Sequence, residues 1–330
     1  MGETSSEWHG VATGTPQGSV LGPFMFIVYV NFILDKVRRE ESSKLIVYAD
    51  DSTLLYEINP GDLERQFSEI AESVERIIKT FRDFGLRVNS KKTQAVLFRT
   101  SNRRFNVPSI RVGDTRIKPS AQAKCLGVIL DEKLNWKPHL KHITPSCYAV
   151  IGALRRLRVV GTPVGTLLLC YKALFLPVLT YCASIWAGGY RQIRDRAQTI
   201  QNDALRAMFN RRRSDSVRSL YTEYGLLRFD GLQRIATAML AFKAANAKIS
   251  RDILSPPRPQ PSQSVRSRRR RTRFARPRTK QAVTRHALSY RVPVLWTSLP
   301  KRVRAITSMK AFRREMRGRE LEAGTKPTPQ

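Results

Sequence analysis

The stretch KLIVYADDSTLLY (44–56) places two adjacent aspartates, Asp50 and Asp51, between two runs of strand-forming residues. Leu45–Tyr48 and Thr53–Tyr56 are each of strand length and are rich in β-branched, aromatic and aliphatic side chains. The Ala-Asp-Asp-Ser break between them is polar, and Asp tolerates turn conformations. The pattern therefore predicts a β-hairpin with the acidic pair at its tip.

Two carboxylates on adjacent residues repel each other, and this repulsion has two interpretations. A divalent cation bound by both would remove it, and hard oxygen ligands on a rigid turn suit Mg²⁺. Alternatively, the pair is an ordinary solvated acidic turn, since Asp is a common turn residue. The spacing alone leaves both interpretations open.

The charge of the chain indicates a polyanionic partner. The formal net charge is +33 over 330 residues, and 42% of the residues are hydrophobic, which is enough for a buried core. Residues 251–330 carry 22 Lys/Arg against 4 Asp/Glu, a net charge of +18, so residues 1–250 hold the remaining +15. Nucleic acid is the simplest partner for such an excess.

Cysteine usage and the N-terminal sequence indicate an intracellular protein, nuclear or cytoplasmic, that is not secreted. The four cysteines show no CxxC spacing, and His139, His142 and Cys147 fit no closed four-ligand zinc pattern. MGETSSEWHG (1–10) lacks the basic and apolar regions of a signal peptide. The apolar run LGPFMFIVYVNFIL (21–34) is too short and interrupted to span a bilayer, so a buried helix and no membrane partner are expected.

Hydrophobic periodicity predicts the order of the elements. We expect a glycine-rich loop over 11–22, a buried helix over 23–39, the hairpin at 44–57, an amphipathic helix over 62–84, a strand at 94–98, short strands within 107–130, a helical region from about 138 to 248, and an ordered element within 286–317. The segment 255–280 is rich in Pro, Ser and Arg and is expected to be a disordered basic linker. Its part RSRRRRTRFARPR (266–278) has three interpretations: a phosphate-binding arm, a nuclear localisation signal or a solubilising charged linker.

A series of motifs in a fixed order resembles a known family. These are GTPQGSVLGP (14–23), YADD (48–51), GLRVNSKKTQAVLF (85–98) and CLGVILDEKLNWKPHL (125–140), followed by YKALFLPVLTYCASIW (171–186) and YRVPVLWTSLPKRVRAITSMKAFRREM (290–316). The chain resembles the reverse transcriptase of non-LTR (LINE-type) retrotransposons, from the GTPQG loop to the C-terminal region. YADD alone is a weak signal, whereas the ordered series is specific.

The resemblance implies an RNA-directed DNA polymerase and assigns roles to single residues. Asp50 matches the catalytic, metal-binding aspartate of the palm hairpin, and Asp51 matches its neighbour in the metal site. Residues that match nucleotide or template–primer contacts are Gly14, Pro16, Gln17, Gly18, Ser19, Tyr48 and Lys92. The implied partners are an RNA template, a DNA primer and deoxynucleotides. The implied cofactor is Mg²⁺, two ions in the family, with Mn²⁺ as a substitute.

The resemblance also implies an α+β fold: a partial polymerase palm with an antiparallel sheet and helices, a helical thumb and a basic C-terminal tail. The expected domains are a palm over 1–140, a thumb over 141–250, a basic disordered linker over 251–285 and a C-terminal helical element over 286–330.

One catalytic aspartate of the family is expected before the GTPQG loop, and residues 1–13 contain no aspartate. The first hypothesis is therefore a polymerase domain fragment that binds nucleic acid and has little or no activity alone. The alternative hypothesis is a catalytically dead remnant that acts only as a nucleic-acid-binding module.

Overall fold

The computed structural model of the chain describes residues 14, 18–40, 44–59, 61–99, 107–113, 115–246 and 286–325. The chain divides into two compact units. The first comprises Met1–Leu97 and Asn102–Ser120, and the second comprises Phe98–Ser101 and Ala121–Gln330.

The described residues form a mixture of helices and small antiparallel sheets. The strands are β1 (Lys44–Tyr48), β2 (Asp51–Leu55), β3 (Ile110–Val112), β4 (Thr115–Ile117), β5 (Gln122–Cys125) and β6 (Val128–Asp131). The helices are α1 (Gly22–Glu40), α2 (Leu63–Asp83), α3 (Lys137–Val159), α4 (Val164–Cys170), α5 (Leu176–Thr180), α6 (Ala183–Trp186), α7 (Arg191–Met208), α8 (Arg218–Glu223), α9 (Phe229–Ala245), α10 (Leu288–Ser298), α11 (Lys301–Arg304) and α12 (Met309–Thr325), with a 3₁₀ helix at Ser90–Lys92 and a π-helix at Tyr171–Phe175. Across these described stretches, no helix is both long and apolar enough to cross a membrane.

The strands pair as neighbours in sequence. In the described residues they form three separate two-stranded sheets, β1–β2, β3–β4 and β5–β6, each antiparallel, and not one continuous palm sheet. Short turns join each pair, so each register follows directly from its turn. The predicted hairpin at 44–57 and the predicted short strands within 107–130 are confirmed.

The first unit is built around α1 and the amphipathic helix α2. The helix expected over 23–39 is present as α1, but the expectation that it is buried is wrong, because Phe24, Ile27 and Phe32 on its outer face are each more than half exposed. One core cluster joins α1, β1 and α2, and its members include Ile33, Leu45, Ile77 and Phe81. Of the α2 face predicted from the sequence, Phe67, Ile70, Ile77 and Phe81 are buried, and Leu63, Val74 and Phe84 are partly buried. The 3–4 spacing of these side chains therefore identified the packed face. This packing holds the β1–β2 hairpin against both helices.

The second unit is mainly helical, as its sequence pattern predicts. Helix α3 packs along α7, and α9 contacts α6, α7, α10 and α12. A buried amide bridges three of its segments: Gln201 Nε2 donates to Tyr171 Oη and to the Leu227 carbonyl, both at 2.9 Å. Because an unsatisfied buried amide is costly, these bonds fix how the segments pack. Trp136, Trp186 and Trp296 are all buried core residues.

The strand expected over 94–98 is wrong, because residues 93–99 lie outside any helix or strand. The Ala95 carbonyl accepts a hydrogen bond from the Ser120 amide at 2.8 Å, and the Arg99 amide donates to the Glu132 carbonyl at 2.9 Å. These are isolated bonds to two different segments and do not form a ladder with one partner strand. Strand propensity without such a partner does not make a strand.

The C-terminal helices are held against the rest of the second unit by a half-buried arginine. Arg291 Nε donates to the His286 carbonyl at 2.7 Å, and Nη2 donates to the carbonyls of Ser184 and Ile185. A Cβ built on Gly188 would lie 1.6 Å from the Arg291 Cζ atom, so the missing side chain makes room for the guanidinium. Burial, with Arg194 nearby, lowers the pKa of Arg291 to about 10. The ordered element predicted within 286–317 is confirmed, whereas the predicted linker 251–285 lies outside the described residues.

His139 gives the second unit a testable dependence on pH. Its side chain is fully buried, Nδ1 accepts a hydrogen bond from the Ile129 amide at 3.3 Å, and Nε2 has no hydrogen-bond partner in the described part of the chain. Burial, and then the charge of His142, lower the pKa of His139 to about 4, from an ordinary value of 6.5. Between about pH 6.5 and about pH 4, His139 therefore stays neutral in the folded state, whereas it gains a proton in the unfolded state.

We expect the free energy of unfolding to lose about 3 kcal/mol as the pH falls from about 6.5 to about 4, because only the unfolded histidine gains a proton in that window. Above pH 6.5 both states are neutral at this residue, and the contribution is constant. Urea denaturation between pH 4 and 7.5 measures the loss. His139→Asn keeps an acceptor but does not titrate, so the variant should lose less stability over this window. Identical pH dependence in both proteins would contradict the prediction.

Candidate functional site

The tip of the β1–β2 hairpin carries the two candidate metal ligands. Tyr48 pairs with Asp51 across the hairpin, so Ala49 and Asp50 form the two-residue turn. Asp50 thus lies in the turn, and Asp51 is the first residue of β2. The predicted position of the acidic pair at the tip is confirmed for Asp50, and Asp51 directly adjoins it.

Both carboxylates are exposed and make no hydrogen bond or ion pair within the described residues. Tyr48, the third site residue on this hairpin, is also exposed. Adjacent carboxylates without a cationic partner keep their oxygen lone pairs free, which suits hard divalent ions. Among the described residues there is no group of three or more His, Cys, Asp or Glu that could hold a metal ion. Asp50 and Asp51 therefore fit as two ligands of a Mg²⁺ site, and they do not complete one.

The hairpin turn is strained at Ala49, whose φ is +51° although it has a side chain. The left-handed region is costly for residues other than glycine, Asn and Asp. We expect Ala49→Gly to stabilise the hairpin by about 1 kcal/mol because the strain disappears. Thermal unfolding followed by circular dichroism measures the change. Ala71→Gly, within helix α2, is the matched control and should destabilise by a similar amount. Destabilisation by Ala49→Gly would contradict the prediction.

The glycine-rich loop is described at Gly14, Gly18 and Ser19, whereas Pro16 and Gln17 lie outside the described residues. Gly14 has a φ of +97° and Gly18 a φ of +86°, and a Cβ at either position would meet nothing within 4 Å. The backbone conformation, and not lack of space, therefore requires glycine here. Helix α1 begins four residues after Gly18. No hydrogen bond joins the described loop residues to the hairpin.

Lys92 ends the 3₁₀ helix Ser90–Lys92, and its side chain is exposed. The Asn89 side chain caps this helix, because Asn89 Oδ1 accepts a hydrogen bond from the Lys92 amide at 3.3 Å. The Thr93 hydroxyl donates to the Asn89 carbonyl at 3.0 Å. The local turn thus fixes the backbone of Lys92 and leaves its ammonium group, which has no ion pair in the described chain, free for an anionic ligand.

Sequence reasoning missed Asp131, which organises the connection between β6 and α3. Its buried carboxylate accepts hydrogen bonds from the amides of Lys133, Asn135 and Trp136, at 3.3, 3.1 and 2.9 Å. These bonds stabilise a segment in which Leu134 and Trp136 have positive φ. The signal was an aspartate a few residues before a helix with Pro138 in its first turn, which is a pattern of local side-chain-to-backbone capping.

Two contacts at the β5–β6 hairpin were also missed, because each joins residues far apart in sequence. Arg99 Nη2 lies 2.8 Å from Glu132 Oε2, in a half-buried ion pair. The Tyr181 hydroxyl donates to the Leu126 carbonyl at the hairpin tip, at 2.9 Å. Both hold the CLGVILDEKLNW segment in place. His139, His142 and Cys147 do not form a metal-binding group, and burial raises the pKa of Cys147 to about 11.

Comparisons with known proteins identify relatives of the chain. Residues 1–130 match the family model described as reverse transcriptase (RNA-dependent DNA polymerase). The chain is 27% identical over 241 residues to a "Retrovirus-related Pol polyprotein from type-1 retrotransposable element R1" of Bradysia coprophila, covering 70% of this chain and 23% of that protein. It is 26% identical over 226 residues to the protein of the same name in Nasonia vitripennis, covering 66% of each.

A third relative is the "Probable RNA-directed DNA polymerase from transposon BS" of Drosophila melanogaster, 29% identical over 207 residues, with 59% of this chain and 22% of that protein covered. The chain thus spans between about a fifth and two thirds of the length of these relatives. No solved structure matches the chain significantly.

Proposed function

We propose that the chain is part of an RNA-directed DNA polymerase domain of the non-LTR retrotransposon type, because residues 1–130 match the reverse transcriptase family model and relatives from retrotransposable elements align with 59–70% of the chain. In this proposal the chain binds an RNA template, a DNA primer and deoxynucleotides. The observation that carries the proposal is the hairpin tip, where Asp50 and Asp51 are exposed and unpaired inside the segment that matches the family.

Asp50 and Asp51 are the proposed metal ligands and catalytic residues. Bound Mg²⁺, or Mn²⁺ in its place, would supply charge stabilisation to the attacking and leaving oxygens of nucleotidyl transfer. The protein's own contribution is to hold two carboxylates on a short, strained turn that is anchored on α1 and α2 through Leu45. An anchored turn keeps the backbone of both residues in place before substrate binds, which limits reorganisation during the reaction.

The proposed contacts with nucleotide and template–primer come from the rest of the first unit. Gly14, Pro16, Gln17, Gly18 and Ser19 would form a loop against the template–primer and the incoming nucleotide, Tyr48 would lie beside it, and Lys92 would meet the leaving phosphates. The positive φ of Gly14 and Gly18 supports this role, because backbone without side chains can approach a ligand closely. The exposed ammonium of Lys92 supports its assignment as a phosphate contact.

The domain assignment belongs to the same proposal. The palm would extend over 1–140, the thumb over 141–250, the basic linker over 251–285 and the C-terminal element over 286–330. The helical content of 137–245 is consistent with a thumb. An intracellular location, in the nucleus or the cytoplasm, follows from nucleic-acid partners that reside there.

We expect this chain on its own to bind nucleic acid and to show little or no DNA synthesis. The described residues contribute two acidic ligands at the hairpin and no third one, and removing one member of a catalytic unit generally costs most of the rate. Primer extension on an RNA template, with Mg²⁺ and with Mn²⁺, measures the synthesis. Template-dependent extension that disappears in the Asp50→Ala variant would overturn this expectation and would establish the chain as an active polymerase.

The alternative function is a nucleic-acid-binding module without catalysis, and the net charge of +33 favours it as a second candidate. Binding through phosphates should weaken steeply with salt and should not require Mg²⁺. A binding titration with EDTA and with Mg²⁺, at several salt concentrations, separates the two candidates. Binding that is unchanged by EDTA supports the module, and nucleotide incorporation supports the polymerase.

A further inference from the structure

One face of helix α12 packs against the rest of the second unit. Phe312 and Met316 are buried against α9, and ring centroids of Phe242 and Phe312 lie 4.7 Å apart. Next to this face, Arg234 Nη2 lies 2.6 Å from Glu320 Oε2. These contacts fix the rotation of α12 about its axis. The side chains on its other faces are therefore presented in a defined direction.

A groove of about 330 Å³ lies along a second face of α12, and α11 contributes its other wall. Arg302 of α11 and Ile306 line one side of it. The α12 residues that line it are Ala311, Arg314, Glu315, Gly318, Arg319 and Glu322. Positions 314 and 318 are four residues apart and thus share one helix face. The groove lies entirely within the second compact unit, whereas the hairpin with Asp50 belongs to the first.

The charges in this groove are unbalanced. Arg319 Nη1 lies 3.9 Å from Glu315 Oε1, so these two residues form an ion pair. Arg302 and Arg314 are exposed and make no hydrogen bond or ion pair within the part of the chain that the structure describes. Residues 301–322, which include every residue that lines the groove, carry eight Lys/Arg against three Glu. Three arginines thus line the groove together with two glutamates, Glu315 and Glu322, which leaves a net positive charge on a basic surface.

Gly318 keeps the middle of the groove open. It lies in the interior of α12, where glycine costs up to about 1 kcal/mol of helix stability relative to alanine. A Cβ at Gly318 would meet nothing within 4 Å, and its φ is not in the left-handed region, so neither packing nor backbone conformation demands glycine. Without a side chain at this position, an occupant can lie directly against the helix between Arg302 and Arg314.

We propose that this groove binds the phosphodiester backbone of nucleic acid, as a second contact region outside the hairpin unit. Guanidinium groups offer several N–H donors in a plane and match phosphate oxygens in geometry and charge. Backbone contacts of this kind add affinity without sequence preference. The inference rests on the proposed function in one respect only, that nucleic acid is the partner. It does not depend on catalysis.

The test measures binding of the full chain to a fluorescein-labelled single-stranded RNA of about 20 nucleotides, without Mg²⁺ or deoxynucleotides, so that absent polymerase activity cannot affect it. Fluorescence anisotropy at several salt concentrations gives the slope of log K against log salt. The double variant Arg302→Gln, Arg314→Gln removes two groove charges. The matched control Lys310→Gln, Arg313→Gln removes two exposed charges from the same surface outside the groove.

If both guanidiniums contact phosphates, the groove variant lowers the magnitude of the slope by about 1.4, whereas the control lowers it by less than about 0.5. Gly318→Gln fills the groove without changing charge and should weaken RNA binding at least threefold. Because glutamine favours helix over glycine, its melting temperature should not fall. This variant separates occupation of the groove from loss of folding.

Two results would overturn the proposal. Equal slope changes in the groove variant and the control would show that only general surface charge acts. The second overturning result would be that millimolar inorganic phosphate or deoxynucleotide, at matched ionic strength, displaces RNA from the wild-type chain but not from the groove variant. That result would assign the groove to a small phosphate ligand.

Discussion

An Asp50→Asn substitution is expected to lower DNA synthesis roughly 10³-fold or more in a fusion that joins this chain to the upstream reverse transcriptase segment of a relative. The substitution keeps the size of the side chain and removes the charge that would hold the metal ions, and groups that act as one catalytic unit lose most of the rate together. Asp50 is exposed at the turn and has no hydrogen-bond partner among the described residues, so the fold should tolerate the change. Steady-state primer extension measures the effect.

Asp62→Asn is the matched control for this experiment. Asp62 is also an exposed aspartate of the first unit, at the start of α2, and its nearest cation is Arg65 with a 4.0 Å separation. It should retain nearly full activity. Equal losses in both variants, or an active Asp50→Asn fusion, would contradict the assignment of Asp50 as a catalytic metal ligand.

We expect Trp186→Ala to destabilise the second unit by about 4 kcal/mol, in the range typical of buried aromatic truncations. The Trp186 side chain is fully buried, Nε1 donates to the Tyr181 carbonyl at 2.7 Å, and its ring centroid lies 5.3 Å from that of His139 and 5.5 Å from that of Phe229. Truncation would leave a cavity bordered by rings that cannot collapse easily. It would also leave the Tyr181 carbonyl without this donor.

Urea denaturation followed by far-ultraviolet circular dichroism measures this loss. Ile185→Ala is the neighbouring control: Ile185 is 38% exposed and should cost about 1 kcal/mol or less. A loss below about 1.5 kcal/mol in Trp186→Ala, or a similar loss in both variants, would show that Trp186 does not organise this core.

Local patterns in the sequence predicted the elements whose stability is local. Helix α2 has apolar side chains every three or four residues, and the 44–56 hairpin has two strand-like runs around a short polar break, so both were identified with nearly correct bounds. The same reasoning failed for residues 94–98. Their composition suits a strand, but a strand needs a partner, and pairing depends on residues far away in sequence.

The candidate site was predictable in its residue types and not in its surroundings. Two aspartates between strand-like runs pointed to the hairpin tip, and the structure places Asp50 in the turn. The ion pair between Arg99 and Glu132 and the burial of His139 both depend on contacts between segments that no local pattern encodes. The backbone role of Asp131 is closer to predictable, because its three acceptor contacts lie within five residues.

The attachment of the C-terminal helices through Arg291 and the packing of Phe312 on α9 has a consequence for how the polypeptide can be divided. Among the described residues, noncovalent contacts join residues 286–325 to helices that precede residue 246. Two separately expressed pieces, ending and starting within 247–285, should therefore reassemble when mixed.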